Sequence, residues 1–479
     1  MEDYCHRLWS KTAPSRRSQI FLVITVAVGV FTDLFVYGVL IPITPFIFDR
    51  WHLVRSERLQ FWAAILLAVY NVGLLGAAPL SGWIADRTST RKLPFLAGLA
   101  ALVLSTGLLW IGKDVGFWIA GRLLQGVSSA IVWSIGLAML ADAVSPNRIG
   151  IVMGYISMAV NLSIVLGPLL GGLMFANSGY HAVFATSFGL IGLDSILRLL
   201  LREPQSWTKT VQATSNNTSD VEKSGAVQVN DEHPRKSSRI PFFALLSSRR
   251  LLCTLLACVA NAALLTSLDA LLPVFANESL GWDSAGAGLI FLPLAIPCLF
   301  SPIIGGLADR HGCRWYSIAG FMIAALGFTS LSLLSSPSMF TVVSACLSLG
   351  TVGVALAMVL TPMMAEIQKV VLSVNELETT SDGHRTNRGF AQGYSLFTMA
   401  WGLGGLLGPL ASGLAKDNLG WAVVTRGLGV LSLLAAIPTF LDRRLSDIVR
   451  STCFPSGKQI PQQDWSLTSA VICRILVMA

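Results

Sequence analysis

Twelve apolar stretches, each about long enough to cross a lipid bilayer, account for most of the 479 residues. A transmembrane helix needs roughly 20 mostly apolar residues. Lipid offers no partners for backbone polar groups, so a spanning segment must pair its own, as an α-helix does. The stretches are 18–46, 60–85, 93–112, 116–141, 148–174, 181–201, 250–277, 284–308, 315–335, 338–366, 389–415 and 421–441. We therefore expect an all-α integral membrane protein with twelve transmembrane helices.

The composition agrees with a membrane protein and argues against an enzyme. Charged residues make up 13% of the chain, whereas soluble domains have about 25%. The net charge is +8, but the basic residues sit in short connectors, which favours lipid headgroups over nucleic acid as partners. The eight cysteines form no CxxC pair and the histidines are scattered, so no metal site or disulfide framework is expected. Without a phosphate-binding loop, we expect no ATP, no other cofactor and no catalysis.

A pattern of small residues and proline occurs twice, 241 positions apart. The first copy is Gly154, Ser163, Gly167, Pro168, Gly171 and Gly172, and the second is Ser395, Gly404, Gly408, Pro409, Ser412 and Gly413. Proline bends a helix, and small residues let a neighbouring helix in lipid come close. The duplication predicts two related six-helix halves, 18–202 and 249–441, joined by a polar linker at 203–248.

The distribution of lysine and arginine predicts the orientation of the chain. These residues accumulate in cytoplasmic connectors, and here they cluster before helix 1, after helix 2, before helix 7 and after helix 12. The first outer connector is an exception, with Arg50, Arg55 and Arg58. We expect the N-terminal segment 1–17, the linker 203–248 and the tail 442–479 to be cytoplasmic.

Two connectors carry a matching set of glycine, aspartate and arginine residues. The set is Gly82, Asp86, Arg87 and Arg91 after helix 2, and Gly305, Asp309, Arg310 and Arg314 after helix 8. Glycine allows close helix approach in lipid. The aspartate can then bond to arginine and to helix N-termini across the gap. Two copies at matching places predict gating contacts between the halves.

These motifs resemble those of the major facilitator superfamily, in its twelve-helix drug:proton antiporter group. The connector after helix 2 is similar to the signature G-x-x-x-D-R-x-G-R-R/K, with Ser89 and Thr90 as departures. Gly154 to Gly172 is similar to the helix 5 signature G-x8-G-x3-G-P-x2-G-G. Helix 4 offers Arg122-Leu-Leu-Gln125-Gly126, and helix 1 offers Gly38-x3-Pro42-x2-Pro45. The resemblance covers nearly all of 18–445 and implies two halves that alternate access; the helix 5 element is typical of exporters.

Ionisable residues inside spans are costly and mark candidate functional sites. Asp33 lies near the middle of helix 1, where burial disfavours the ionised carboxylate, so it is the leading candidate to bind and release a proton. Arg122 enters helix 4 at a comparable depth, and its approach to Asp33 would favour the ionised acid. Glu366, at the cytoplasmic end of helix 10, is a second candidate proton site or a solvated helix end. Asp194 in helix 6 is interpreted as structural.

A further set of polar and aromatic residues is expected to line a central substrate cavity. The set comprises Tyr37, Asn71, Gln125, Trp133, Asn261, Tyr394, Thr398 and Trp401. The aromatic members suit a hydrophobic, adaptable pocket. For any one of them, packing against lipid is the alternative. The amide side chains can instead form hydrogen bonds to a neighbouring backbone. The vesicular amine transporters, which also resemble this chain, have an aspartate at the place of Asp33 and a second one at the place of Thr398.

Together these features favour a proton-coupled exporter of hydrophobic or amphipathic small molecules, similar to fungal exporters of drugs and secondary metabolites. An importer or a vacuolar or vesicular accumulator of the same fold is one alternative. A membrane sensor that binds without transporting is another. The expected partners are a small-molecule substrate, protons and the bilayer. We expect a monomer in the plasma membrane, with a vacuolar or vesicular membrane as the alternative.

The predicted orientation can be checked by proteolysis. Protease added outside sealed cells should leave the 203–248 linker intact, because the linker is expected on the cytoplasmic side. Permeabilised cells provide the positive control, since the polar linker should then be cut. Cleavage from outside in sealed cells would reverse the orientation.

Overall fold

The computed structural model describes residues 2–55, 59–88, 90–201, 245–282, 289–334, 338–379 and 389–453. Within these residues the chain forms twelve long helical segments and no strand. They are α1 Glu2–Arg50, α2 Leu59–Arg87, α3 Lys92–Ile111, α4 Val115–Ala143, α5 Ile149–Ser178, α6 Tyr180–Leu200, α7 Arg249–Leu280, α8 Leu292–His311, α9 Cys313–Leu331, α10 Met339–Thr379, α11 Phe390–Leu419 and α12 Trp421–Cys453. The predicted all-α architecture is confirmed.

Ten of these twelve segments are long and apolar enough to cross a membrane. The exceptions are α9 and α11. Serine, tyrosine and arginine residues in the first two turns of α9 lower its mean hydropathy, and glycines do the same along α11. Both helices nevertheless pack within the bundle beside spanning helices. The protein is therefore a multi-pass membrane protein whose least apolar helices are held by helix contacts.

Three helices extend beyond the predicted spans. α1 begins at Glu2 instead of 18, α10 runs to Thr379 instead of 366, and α12 runs to Cys453 instead of 441. The added segments interrupt the apolar pattern with polar and charged residues, so a rule based on apolar length ended the helices too early. Residues 203–244 of the predicted linker and residues 454–479 of the predicted tail lie outside the described residues.

α8 is a broken helix. It consists of an α-helical turn at Leu292–Ala295, a 3₁₀ segment at Ile296–Phe300 and a second α-helix at Ser301–His311. Prolines at 293, 297 and 302 stand near the start of the three pieces. Proline cannot donate the backbone hydrogen bond of a helix interior, so the regular α-helical pattern is interrupted where these residues fall.

Helix packing repeats between the first six and the last six helices. α1 packs on α5, and α7 packs on α11. α6 and α12 each follow a glycine with positive φ, Gly179 at 79° and Gly420 at 78°, a conformation that glycine adopts without strain. The two sets of six meet chiefly where α2 packs on α11 and where α5 packs on α8.

Glycines of the repeated pattern bring α5 against α1 and α11 against α7. A Cβ atom placed on Gly167 would lie 3.1 Å from the carbonyl oxygen of Phe35 in α1. A Cβ atom on Gly408 would lie 2.5 Å from the carbonyl oxygen of Ala263 in α7. Both distances are shorter than ordinary contacts, so only glycine fits without displacing the neighbouring helix.

The tight packing expected of the whole pattern does not extend to its last glycine. A Cβ atom on Gly172 or Gly413 would meet nothing within 4 Å. Gly171 and Gly404, in contrast, lie directly against the backbones of α1 and α7. Helical geometry explains the difference, because consecutive residues such as Gly171 and Gly172 point about 100° apart, and residues nine positions apart, such as Gly404 and Gly413, point to opposite faces of the helix.

Gly408 and Gly413 therefore allow a matched pair of substitutions, one at a helix contact and one facing open space. Gly408→Leu should destabilise the purified protein by about 1–3 kcal/mol, because the added side chain must push α7 away. Gly413→Leu adds the same side chain where there is open space and should leave stability nearly unchanged. Thermal unfolding in detergent measures both variants. Equal loss of stability in the two would contradict the assigned helix contact.

Candidate functional site

The carboxylate of Asp86 bridges the two halves at the end of α2. The backbone N–H of Gln392, in the first turn of α11, donates to Asp86 Oδ2 at an N···O distance of 3.3 Å. A helix N-terminus has unpaired N–H groups and a partial positive charge, so a carboxylate there is stabilising. Asp86 thus caps a helix of the opposite half.

Asp309 makes the same contact in the other direction. It lies near the end of α8, and the backbone N–H of Ile151, in the first turn of α5, donates to its Oδ2 at 3.2 Å. In both cases the donor is the third residue of its helix. The two connector motifs therefore build two equivalent caps, each reaching from one half into the other.

The basic residues around the two caps are arranged differently. Arg91 lies 3.5 Å from Asp86 and 2.8 Å from Asp142 of α4. At the other cap the cation is Lys369 of α10, whose Nζ is 3.6 Å from Asp309 Oδ1. Sequence reasoning assigned that place to Arg314.

The remaining motif arginines do not join the caps. Arg314 instead donates to the carbonyl oxygen of Phe440 in α12. Arg87 lies over the ring of Trp83, 3.7 Å from its centroid, and Arg310 is exposed. Their predicted gating role stays a prediction.

Close backbone contacts accompany the caps. A Cβ atom on Gly82 would lie 2.6 Å from Ser395 Oγ, and one on Gly154 would lie 2.5 Å from Cα of Pro302. Gln368 of α10 adds a third link by donating to the carbonyl oxygens of Ala141 and Val144, at 2.6 and 3.0 Å, at the C-terminus of α4. This end of the bundle, the predicted cytoplasmic end, is closed.

Asp33 lies in the interior of α1 with no exposed side-chain surface. The Ser129 hydroxyl of α4 donates to Asp33 Oδ2 at 2.6 Å, and the hydroxyl groups of Tyr70 and Ser129 are 2.7 Å apart. Because Ser129 has a single hydroxyl hydrogen, Tyr70 donates to Ser129 when Ser129 donates to Asp33. Asp33 Oδ1 has no hydrogen-bond partner. The acid thus ends a chain of hydroxyl groups from α2 through α4.

Arg122 does not contact Asp33, contrary to expectation. Its Nη1 donates to Gln125 Oε1 at 3.0 Å and to the carbonyl oxygen of Tyr37 at 3.3 Å. The guanidinium also lies 5.3 Å from the centroid of the Tyr37 ring, within the range of a cation–π interaction. Arg122, Gln125 and Tyr37 form their own cluster between α4 and α1.

Glu366 is also separate from Asp33. Arg250 Nε of α7 donates to Glu366 Oε1 at 2.5 Å. The pair borders a small cavity between α7, α9, α10 and α12, lined also by Cys253, Cys313 and Arg314. The three residues predicted for proton coupling are therefore not brought together, and Glu366 belongs to a site within the last six helices.

Aromatic and hydroxyl side chains join the halves at the centre of the bundle. The rings of Trp133 in α4 and Trp401 in α11 stack with centroids 5.8 Å apart and an interplanar angle of 23°. Beside them the Ser134 hydroxyl donates to Thr398 Oγ1 at 3.4 Å. These residues pack against each other between the first six and the last six helices, and their predicted role in a substrate cavity stays a prediction.

Two of the predicted cavity residues donate hydrogen bonds to the backbones of helices. Asn71 Nδ2 donates to Leu67 O at 2.9 Å within α2 and to Gly405 O of α11 at 3.4 Å. The Tyr394 hydroxyl donates to the carbonyl oxygen of Met364 in α10 at 2.9 Å. Both side chains are buried, and their bonds fix neighbouring helices.

Asn261 corresponds in position to Asp33. Asn261 lies two residues before Ala263, which faces Gly408, and Asp33 lies two residues before Phe35, which faces Gly167. Asn261 is 1% exposed, and both polar atoms of its amide lack a partner. The second half thus carries an uncharged amide where the first carries an acid.

Sequence reasoning missed the residues that complete these contacts. They are Tyr70, Ser129, Asp142, Arg198, Gln368 and Lys369. Each is a polar residue inside a predicted span or close to its end, so polarity within a predicted helix was the available signal. No group of three His, Cys, Asp or Glu side chains suited to a metal ion occurs among the described residues.

Comparison with known proteins gives three relevant matches. The family described as Major Facilitator Superfamily matches residues 26–375. The uncharacterized MFS-type transporter C18.02 of Schizosaccharomyces pombe is 32% identical over 457 residues, covering 91% of this chain and 98% of that protein. Multidrug resistance protein 1 of Bacillus subtilis is 31% identical over 180 residues, covering 36% of this chain and 44% of that protein.

Among solved structures, the human organic anion transporter MFSD10 (TETRAN) is similar in fold. The TM-score is 0.61 with 16% sequence identity, and the match covers 89% of this chain and 99% of that chain. At this identity the likeness concerns the fold alone.

The two caps can be tested separately by hydrogen–deuterium exchange. Asp86→Asn should speed amide exchange at the start of α11, and Asp309→Asn should do so at the start of α5, because each loses a charge contribution of about 0.3–1 kcal/mol. Arg87→Gln is the control, since that side chain stacks on its own helix. Equal exchange in all three variants would contradict the cap assignment.

Proposed function

The chain belongs to the Major Facilitator Superfamily, and we propose that it is a proton-coupled secondary transporter that exports hydrophobic or amphipathic small molecules. The observation that carries this proposal is the buried carboxyl group of Asp33, bonded on one oxygen only. An ionisable group in the membrane interior is costly and marks a functional site by default. Its neighbours are hydroxyl groups, which can either donate or accept a hydrogen.

Proton binding at Asp33 changes the hydrogen bonds that link it to α4 and α2. The ionised acid accepts from Ser129, which accepts from Tyr70. The protonated acid has an O–H of its own and can donate, so Ser129 is free to turn its hydrogen elsewhere. Ser129 and Trp133 are four residues apart on α4 and share one face of the helix. A change at Asp33 is therefore one helical turn from the Trp133–Trp401 contact between the halves.

The central residues favour substrates with a large apolar surface. Stacked tryptophans offer broad, flat surfaces and little directional hydrogen bonding. A ligand that separates Trp133 from Trp401 would gain those surfaces while loosening the contact between halves. The similarity to a Bacillus subtilis protein named for multidrug resistance supports this substrate class.

The caps at the predicted cytoplasmic end supply the gate. In the closed arrangement Asp86 and Asp309 hold the first turns of α11 and α5. Opening requires both carboxylates to exchange these bonds for bonds to water. The cost is small for each contact, so binding events at the centre can shift the balance between the closed and open arrangements.

Export across the plasma membrane is the direction that we propose. It rests on the helix 5 pattern from Gly154 to Gly172, typical of exporters. The alternatives are an importer, a vacuolar or vesicular accumulator and a sensor without turnover. Transport measurements in sealed vesicles separate them by the direction of substrate movement or by its absence. We propose that the protein acts as a monomer and has no enzymatic activity.

Transport in everted membrane vesicles tests the proposal. Fluorescent amphipathic dyes of positive, neutral and negative charge serve as probes, and an imposed pH gradient, acid inside, drives the exchange. Wild-type protein should concentrate at least one dye, and Asp33→Asn should reduce that uptake at least ten-fold, because the amide cannot carry a proton.

The matched control is Asp114→Asn, which neutralises an exposed carboxylate at the start of α4. It should transport like the wild type. Wild-type rates in Asp33→Asn would remove Asp33 as the proton carrier. Dye movement in the opposite direction would favour the importer, and no movement of any dye would favour the sensor.

A further inference from the structure

An ion pair lies buried on the inner face of α6. Arg198 Nε donates to Asp194 Oδ1 at 2.9 Å, and Arg198 Nη2 donates to Asp194 Oδ2 at 2.6 Å. Both side chains are fully buried. Removing two charges from water is expensive, and a buried pair often stabilises a fold no better than apolar residues of similar volume. Stabilisation of the fold therefore does not by itself explain why this pair is present in a membrane helix.

The pair is held firmly between α3 and α1. Arg198 Nη1 donates to the carbonyl oxygen of Phe95 at 2.8 Å, and the guanidinium lies 3.9 Å from the centroid of the Phe95 ring. On the α1 side, a Cβ atom on Gly29 would lie 2.8 Å from Arg198 Nη2 and 3.4 Å from Asp194 Oδ1. The positive end of the pair thus comes nearest to α1.

Gly29 is four residues before Asp33. Residues at this spacing lie on the same face of a helix, about one turn apart. The guanidinium therefore occupies a fixed place one turn from the buried acid. The absence of a side chain on Gly29 is what allows this approach.

The last six helices contain neither the acid nor the pair. Asp194 and Arg198 are 15 and 19 residues after Gly179, the glycine that precedes α6. The residues at the same distances after Gly420, which precedes α12, are Ala435 and Thr439. At the position of Asp33 that half has Asn261. The second half forms the same helix arrangement without these charges, so the fold does not require the pair. The pair and the buried acid Asp33 occur together in the first half.

The charged and titratable groups around Asp33 come from several helices. α4 contributes Arg122, which is bonded to Gln125, and α2 contributes Tyr70. α1 itself contributes Tyr37. α5 has no Asp, Glu, Lys, Arg or His along its length. Among these groups, Asp194 and Arg198 of α6 are the charged residues that lie outside the cluster of Arg122, Gln125 and Tyr37.

We propose that the Asp194–Arg198 pair is a positioning element of the proton site, which places a fixed positive charge beside α1 and so stabilises the ionised state of Asp33. This inference rests on the proposed function, in which Asp33 binds the transported proton. Asp194 keeps Arg198 oriented and balances its charge, while Phe95 anchors the other side of the guanidinium.

Infrared spectroscopy of the full-length protein in lipid vesicles tests the proposal without any substrate. The carbonyl stretching band of a protonated carboxyl group is followed against pH, and the band of Asp33 is identified by its loss in Asp33→Asn. In Asp194→Asn/Arg198→Gln the midpoint of this titration should rise by up to about half a pH unit, because the cation that is removed lies nearer to α1 than the anion that is removed with it. Gly192→Ala, a substitution on α6 into open space, should leave the midpoint unchanged.

Asp194→Ala/Arg198→Thr takes the place of this double variant if the latter does not fold. It introduces the residue types found at the matching positions of α12, removes both charges, and should raise the midpoint in the same direction. An unchanged midpoint in the variant that folds overturns the proposal, even if transport is lost, because the pair then acts only as a scaffold. If Asp33→Asn removes no titrating band, the proposed function itself fails, and the positioning role fails with it.

Discussion

Two carboxylates, each bonded to the first turn of a helix in the opposite half, hold one end of this protein closed. Asp86 caps α11 and Asp309 caps α5. Contacts of this kind contribute only about 0.3–1 kcal/mol each, far less than the packing within a half. We therefore propose that the helices of each half move together and that the two caps are exchanged at small cost when the closed end opens. Glycine at the crossing points allows both caps to form, because helix backbones must approach closely for a short aspartate to reach across.

The chemistry of the two halves is unequal although their helix arrangement is shared. The first half contains Asp33, its hydroxyl chain, the Arg122 cluster and the buried pair of α6. The second half contributes Trp401, Thr398 and an uncharged amide, Asn261, to the centre. α4 connects the two functions that we propose. On one helical turn it presents Ser129 to the acid, and on the next it presents Trp133 to the opposite half.

Sequence patterns were sufficient to predict the helical architecture and insufficient to predict the partners of the buried polar residues. Apolar length and the repeated glycine pattern predicted the helices, and the cost of a buried charge singled out Asp33. The same reasoning paired Arg122 with Asp33, because depth along a helix says nothing about the direction of a side chain. It also left Arg198 unnoticed, since a basic residue near a helix end is ordinary until packing shows it buried. At the second cap the cation beside Asp309 is Lys369, where the motif suggested Arg314. Which cation lies beside the carboxylate depends on how the helices pack, and residue spacing within one motif does not give that packing.

The central claim is that protonation of Asp33 is coupled to opening of the closed end. Pulsed electron paramagnetic resonance measures this directly, with spin labels at Thr88→Cys and His311→Cys, exposed positions at the ends of α2 and α8, in a variant whose other cysteines are replaced. We expect two distance populations, one for the closed end and one for the open end, whose ratio changes with pH in the wild type and stays constant in Asp33→Asn. A ratio that depends on pH equally in both proteins would contradict the claim.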